Sequence, residues 1–243
     1  MPLILKKGEG AATLKLDQPG GRLPTKNMVI VVAFGPEIQT YIENEGHKAC
    51  PRPVGCGHCG AVGRMVGHGS YRRKPKDQER AWWIRVRRWL CQVCRRTTSC
   101  LPSFLLPWRH YRVGVIQGVL VRRLEVEGSW AEVVAGCSQQ GVPALRTMQR
   151  WVGALADQAT DWLLAVLAEL AHQDNKSPWL EPRGPTALGT SPTLTAAHSL
   201  LLASLDLLAW AKSRWRELAG YGVADRLAFL GHWGHGRRLG RLV

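Results

Sequence analysis

Two Cys-x-x-Cys pairs, Cys56/Cys59 and Cys91/Cys94, lie 31 residues apart and constrain this chain more than any other feature. Two pairs of thiolates on tight turns can close a tetrahedron around one metal ion, at about 2.3 Å per Zn–S bond. Four sulfur ligands leave no open position for water or substrate, so the expected ion, Zn²⁺, is structural rather than catalytic. The first pair reads Cys56-Gly57-His58-Cys59-Gly60, with glycines where a knuckle needs positive φ and room for amides to face sulfur. The alternative is two chance pairs of buried or disulfide-bonded cysteines. Cys50 and Cys100 flank the pairs at equal spacing and could substitute as ligands; with Cys137 they read as small buried thiols. His58 and His68 stand in reserve.

A length of 243 residues, 45% of them hydrophobic, allows two small domains with a buried core. The N-terminus lacks the residue order of a secretory signal, and the apolar stretch from Leu194 to Trp210 is interrupted by His198 and Asp206. With an odd count of seven cysteines, this predicts a soluble cytoplasmic protein whose thiols are free to bind metal. The net charge of +15 is unevenly spread: residues 47–112 hold fifteen basic and two acidic groups, a net of +13, whereas residues 113–172 sum to −2. So dense a positive field predicts a polyanionic partner.

Residues 1–27, rich in Gly, Lys and Pro, predict a disordered extension. The apolar, β-branched run from Met28 to Phe34 predicts a buried strand, and Pro36 suits the first turn of a short helix through Tyr41 and Ile42. Residues 28–110 then read as this strand plus a zinc ribbon. Within it, Gly67, Gly69 and Ser70 punctuate one hairpin arm. In the second arm Ile84, Val86 and Leu90 fall on one face and Trp83, Arg85, Arg87 and Trp89 on the other, with Arg88 interrupting the apolar side. Guanidinium groups at alternate strand positions project about 7 Å apart, close to the phosphate spacing of a nucleic-acid strand. Arg72, Arg73, Arg85, Arg87, Arg88, Arg95 and Arg96 are therefore the expected phosphate contacts. A solvated edge strand whose charges discourage aggregation is the alternative.

Residues 111–172 predict helices. Val113, Ile116, Leu120 and Leu124 recur at helical spacing, and Ser129-Trp130-Ala131-Glu132 is a capping box. After a loop from Cys137 to Val142 containing Gly141, Pro143 opens a further helix whose stripe is Leu145, Met148, Val152 and Leu155. No breaker interrupts it before His172, which makes it long enough to serve as a dimer seam or as core. The opposite face carries Arg146, Thr147, Gln149 and Arg150, side chains able to read base edges if this is the second helix of a helix-turn-helix. An ordinary bundle with a solvated polar face is the alternative. Residues 173–193 read as a Pro-rich linker, and residues 194–243 as a C-terminal helix followed, from Gly231, by a basic tail. The fold class expected is α+β: a small β zinc ribbon, an α-helical helix-turn-helix domain and a C-terminal helix.

With Cys56-Gly-His-Cys59-Gly60, Arg85-Val-Arg-Arg88, Cys91-Gln-Val-Cys94-Arg95-Arg96-Thr97, Leu101-Pro102 and Thr147-Met-Gln-Arg-Trp151, the chain resembles the N-terminal zinc-ribbon and helix-turn-helix region of bacterial insertion-sequence transposases. It also resembles short bacterial proteins that carry this region alone. The resemblance spans about residues 28–172. It implies zinc on Cys56, Cys59, Cys91 and Cys94, double-stranded DNA as partner, and base reading around Arg146, Thr147, Gln149 and Arg150. A homodimer through the long helix, or a transposase partner, is a further expectation. The chain departs from a full transposase: residues 173–243 offer Asp174, Glu181, Asp206, Glu217 and Asp225 but no strand pattern to present a metal-binding carboxylate triad. No phosphate-binding loop, nucleophile elbow or His-Glu-x-x-His helix occurs. The expectation is a DNA-binding accessory factor or regulator, not an enzyme. Competing with it are a zinc-stabilised interaction module with only non-specific nucleic-acid affinity, and a single-strand binder using Trp83 and Trp89.

Overall fold

A computed structural model of the chain describes residues 4–8, 11–15, 28–32, 38–77, 79–137, 142–173, 192–219, 221–236, 239 and 242. The fold is mixed α and β. It divides into two compact units, Met1–Asp77 with Ala81–Arg112, and Gln78–Arg80 with Val113–Val243.

The alternation around Arg85 becomes a strand paired on both sides in the first unit's sheet. Strand β4 (Met65–Arg73) pairs antiparallel with β5 (Ile84–Cys91), which pairs antiparallel with β6 (Thr97–Pro102). On β5, Ile84 and Val86 are buried and Arg85 is exposed, as a half-buried strand of period two requires. These buried residues join Ile38, Tyr41, Leu101, Phe104 and Leu105 in one core cluster. Tyr41 comes from the short helix α1 (Ile38–Glu43); its ring meets Phe104 edge-on, and its hydroxyl donates to the Arg85 carbonyl at 2.7 Å. The glycines of the first arm lie inside β4 rather than at a turn: one extra residue between Gly67 and Ser70 makes a β-bulge, with Gly69 at φ +68°.

Beyond β6 the sheet continues in the order β1-β2-β3-β6-β5-β4. Strand β3 (Met28–Val32) falls within the apolar run and lies parallel to β6. The composition of residues 1–27 argues for disorder, yet the structure has β1 (Ile4–Gly8) and β2 (Ala11–Lys15) paired antiparallel there. Both are five-residue segments close together in sequence, so their pairing closes only a short loop, and a tally of Gly, Lys and Pro misses that.

The second unit is helical. Helix α2 (Val113–Leu120) runs into a π-helical turn at Val121–Glu125. The capping box forms in α3 (Trp130–Ala135): the Ser129 hydroxyl accepts from the Glu132 amide, and the Glu132 carboxylate accepts from the Ser129 amide. Residues 138–141 of the following loop, including Gly141, and residues 174–191 of the Pro-rich stretch lie outside the described residues. Helix α4 (Leu145–Gln173) is one continuous helix, with Pro143 two residues before its start. It packs chiefly against α5 (Pro192–Arg214). Among the described residues α5 alone is long and apolar enough to cross a membrane, and 61% of its apolar window is buried, as in a core helix.

The expected basic tail is different in the structure. Arg226–Gly236 is a sixth helix, α6, that buries Leu227, Phe229, Leu230 and Trp233. The Gln117 side chain joins α2 to its start, accepting from the Leu227 amide at 2.9 Å and donating to the Val223 carbonyl at 2.8 Å. Arg226, 1% exposed, pairs with Glu125 at 2.5 Å. The interspersed glycines and histidines hid this apolar stripe; Arg237, Arg238 and Arg241 fall outside the described residues.

Where α6 crosses Trp162 the approach is so close that a Cβ on Gly234 would lie 2.1 Å from the indole. Trp162 is 1% exposed and has nowhere to turn. Gly234→Ala should therefore destabilise this unit by about 1–3 kcal/mol, the usual cost of overpacking, read as a lowered urea midpoint. An unchanged midpoint would mean that α6 is not seated against Trp162.

Candidate metal centre and basic surface

The two Cys-x-x-Cys turns share one hydrogen-bond skeleton. In the first, the Gly60 amide donates to the Cys56 carbonyl at 2.8 Å and the Cys56 amide to the Ala61 carbonyl at 2.9 Å. In the second, Arg95 donates to Cys91 at 3.0 Å and Cys91 to Arg96 at 2.9 Å. The residue after the second cysteine takes positive φ in both, Gly60 at +74° and Arg95 at +58°. The first turn precedes β4 and the second joins β5 to β6. Because Met65 pairs with Cys91, the sheet brings the turns together.

The four Sγ atoms lie within 4.8 Å of one another, with Cys56 to Cys94 at 3.6 Å and Cys59 to Cys91 at 3.7 Å. Zn–S bonds of about 2.3 Å in a tetrahedron place sulfurs about 3.8 Å apart, so these two separations match a four-thiolate site and the whole set lies close to one. The His58 amide faces Cys56 Sγ at 3.4 Å, the kind of N–H···S contact that steadies a metal-bound thiolate. Met65, Ala61 and Trp89 pack around the sulfurs. This is the cluster of ligand atoms found among the described residues, and neither histidine joins it. His68 is exposed in the β4 bulge, and burial lowers the pKa of His58, with Arg96 adding to the shift.

Cys50 and Cys100 are neither thiols nor substitute ligands. They form a disulfide across 50 residues that encloses both turns. The pairing follows from β6, which carries Cys100 back to the segment before the first turn, and a separation of that size leaves no local trace in sequence. Five cysteines remain free, the four of the cluster and Cys137. Cys137 is a buried thiol that donates to the Val133 carbonyl at 3.3 Å.

Without metal, burial raises the pKa of Cys56 and Cys94. Burial pushes Cys56 up to about 12, against the amides of Cys59 and His58. Burial acts in the same direction on Cys91, but the amides of Cys94 and Val93 and the neighbouring thiols outweigh it and bring Cys91 down to about 7.

The basic residues divide by what they touch. Arg72 and Arg85 are direct cross-strand partners, both exposed. Arg95 and Arg96 are exposed beside the second turn. Arg87 folds over Gly67, where a Cβ would lie 2.7 Å from its Nη2, and stacks on Trp89 at 5.0 Å. Arg88 lies over Tyr71 at 5.1 Å, which explains the cation on the apolar side of β5. Arg73 is half-buried, and its guanidinium donates to the carbonyls of Leu106, at 2.8 Å, and Arg109. Of the two acids, Asp77 is buried and accepts from the Trp82 indole, with Arg112 4.0 Å away. Two cations that periodicity did not single out also meet aromatic rings: Lys74 over Trp83 at 5.2 Å and Lys76 over Tyr111 at 5.6 Å.

In the second unit, Arg146, Gln149 and Arg150 are exposed on one face of the first turns of α4, Thr147 is half-buried, and Met148 faces the core.

A family model described as a domain of unknown function, DUF6431, matches residues 56–151, from the first ligand cysteine to the second turn of α4. No curated protein and no solved structure matches the chain.

Thiol ligation makes metal binding a proton release. Loading the apo protein at neutral pH should release protons to a pH indicator, and apparent affinity should rise with pH, because thiols with pKa values above neutral must be deprotonated to bind. Cys91→Ser should abolish stoichiometric metal while Cys50→Ser keeps it. Metal uptake without proton release would exclude the thiol site.

Proposed function

We propose that this chain is a zinc-dependent, double-stranded DNA-binding protein related to the zinc-ribbon and helix-turn-helix region of insertion-sequence transposases, acting as an accessory factor or regulator on the bacterial nucleoid. The observation that carries this reading is the facing pair Arg72 and Arg85. Like charges directly opposite one another destabilise a sheet; Glu45 feels Arg85 but is held by Lys48, and the buried Asp77 is engaged internally, so an external anion adds compensation that these carboxylates do not supply. Phosphates of a duplex supply anions at suitable spacing, and their neutralisation releases condensed counterions, which drives binding.

The four-cysteine cluster supports zinc, because an all-thiolate tetrahedral set favours Zn²⁺ over hard cations. The ion would supply no chemistry beyond holding the two turns. Arg72, Arg85, Arg95 and Arg96 are the phosphate contacts of this reading, with Arg87 beside them; Arg73 and Arg88 hold the scaffold instead. Arg146, Gln149 and Arg150 suit base edges in a major groove, arginine for guanine and glutamine for adenine. The match to a helix-turn-helix is looser: nine residues separate α3 from α4, where the usual turn has about three or four. We assign no catalytic residue. Asp225 accepts from the Gly222 amide, a helix-capping role, and is not offered as a metal ligand.

Each phosphate contact adds about 0.9 to the slope of log affinity against log salt. Replacing both Arg72 and Arg85 by Ala should weaken binding to every duplex and flatten that slope by about 2. Arg150→Ala should instead change which sequences are enriched from a randomised duplex pool, leaving the slope closer to wild type. Identical, sequence-blind losses from both variants would favour a module with only electrostatic affinity for DNA.

A further inference from the structure

We propose that one end of the β4–β5 hairpin is a second contact site, at which Trp83 and Trp108 stack on unpaired nucleobases. The inference rests on the nucleic-acid reading above and adds a substrate feature to it: a duplex carrying a single-stranded or melted segment. Trp83 is 60% exposed and Trp108 is 52% exposed, unusually open for the largest apolar side chain. Trp89, the neighbouring tryptophan, is half-buried and packs beside the cysteines, which leaves less of its ring open to a base.

The two exposed rings are held rather than loose. At the end of β4, Arg73 donates to the carbonyls of Leu106 and Arg109, on either side of Trp108. The next residue, Lys74, lies over the Trp83 ring. Lys76 then ties the same two segments together, bridging to Ala81 and to Tyr111, and its amide donates to the His110 carbonyl at 2.7 Å. Trp108 itself sits at φ +61°, in the left-handed region that a bulky residue rarely adopts. Strain of this kind persists where the surroundings over-determine it, and it collects at binding sites. Here it presents an aromatic ring outward.

The occupant follows from charge and shape. Lys74 lies over Trp83 and Lys76 over Tyr111, three residues after Trp108, in a stretch of net charge +13, which disfavours cationic peptides and attracts an anionic backbone. Flat aromatic faces with flanking cations suit bases whose phosphates run alongside, and such stacking is indifferent to sequence. Bases inside an intact duplex already stack on one another, so this site takes those that do not.

The test compares metal-loaded full-length protein on three probes: a blunt duplex, the same duplex with a single-stranded thymidine tail, and the same tail made abasic. The abasic tail keeps the phosphates and removes the bases. The thymidine tail should bind about tenfold tighter than the abasic one. Trp83→Thr, which keeps a strand-compatible residue, and Trp108→Asn, which tolerates positive φ, should together bring that ratio to one, with metal content and cooperative melting retained as controls of folding. Equal binding of the two tails by wild type, or a ratio that survives in the double variant, overturns the proposal. Base-dependent binding of the tail as a free single strand, with no affinity for the blunt duplex, would leave this site standing and overturn the duplex reading instead.

Discussion

The first unit depends on bringing four sulfurs into one place. Among the described residues its core cluster holds seven buried side chains, with Tyr71 and Trp82 packed against them, and residues 47–112 carry a charge that repels itself in the compact state. A cross-link offsets such repulsion by constraining the unfolded chain. A metal held by the cysteine turns would supply one at the edge where β4 begins and β5 ends, and the Cys50–Cys100 disulfide adds another that encloses it. Cross-links of this kind hold Arg72 opposite Arg85, whose charge also acts on the Glu45 carboxylate.

The cross-links also explain why so much positive charge coexists with so few acids. Where arginines would burden the fold they are given partners that are not charged: backbone carbonyls for Arg73, the Tyr71 ring for Arg88, Trp89 for Arg87. Rings and carbonyls satisfy a guanidinium without cancelling its field. The internal arginines therefore still add to the positive potential that the exposed ones present.

What could be read from sequence was what is local. The cysteine turns, the Ser129–Glu132 box and the alternation from Ile84 to Val86 each lie within a few residues, and the structure has each. What escaped was long-range or conformational. Cys50 finds Cys100 only because β6 returns beside it. The strands of the first 15 residues are specified by pairing more than by composition. The stripe of α6 is broken by Gly231, His232 and Gly234, and Gly234 is there because Trp162 leaves no room for a Cβ. Periodicity places Arg73 and Arg88 on a face of the sheet, but a long side chain can fold back, and only the neighbouring carbonyls and ring decide that it does.

The two cysteine turns differ at one position in a way that ties fold to surface. Each needs a residue in the left-handed region directly after its second cysteine, because the amide there must reach back to the first cysteine's carbonyl. Gly60 meets that need at no steric cost. Arg95 meets it with a Cβ, at roughly 1 kcal/mol. Glycine would serve the second turn better if holding the sulfurs were its only task. An arginine there costs stability and gains an exposed cation fixed within one residue of a ligand cysteine, directly before Arg96. On the nucleic-acid reading that exchange has a purpose: the rigid turn that holds the metal also sets where two of the phosphate-binding groups stand.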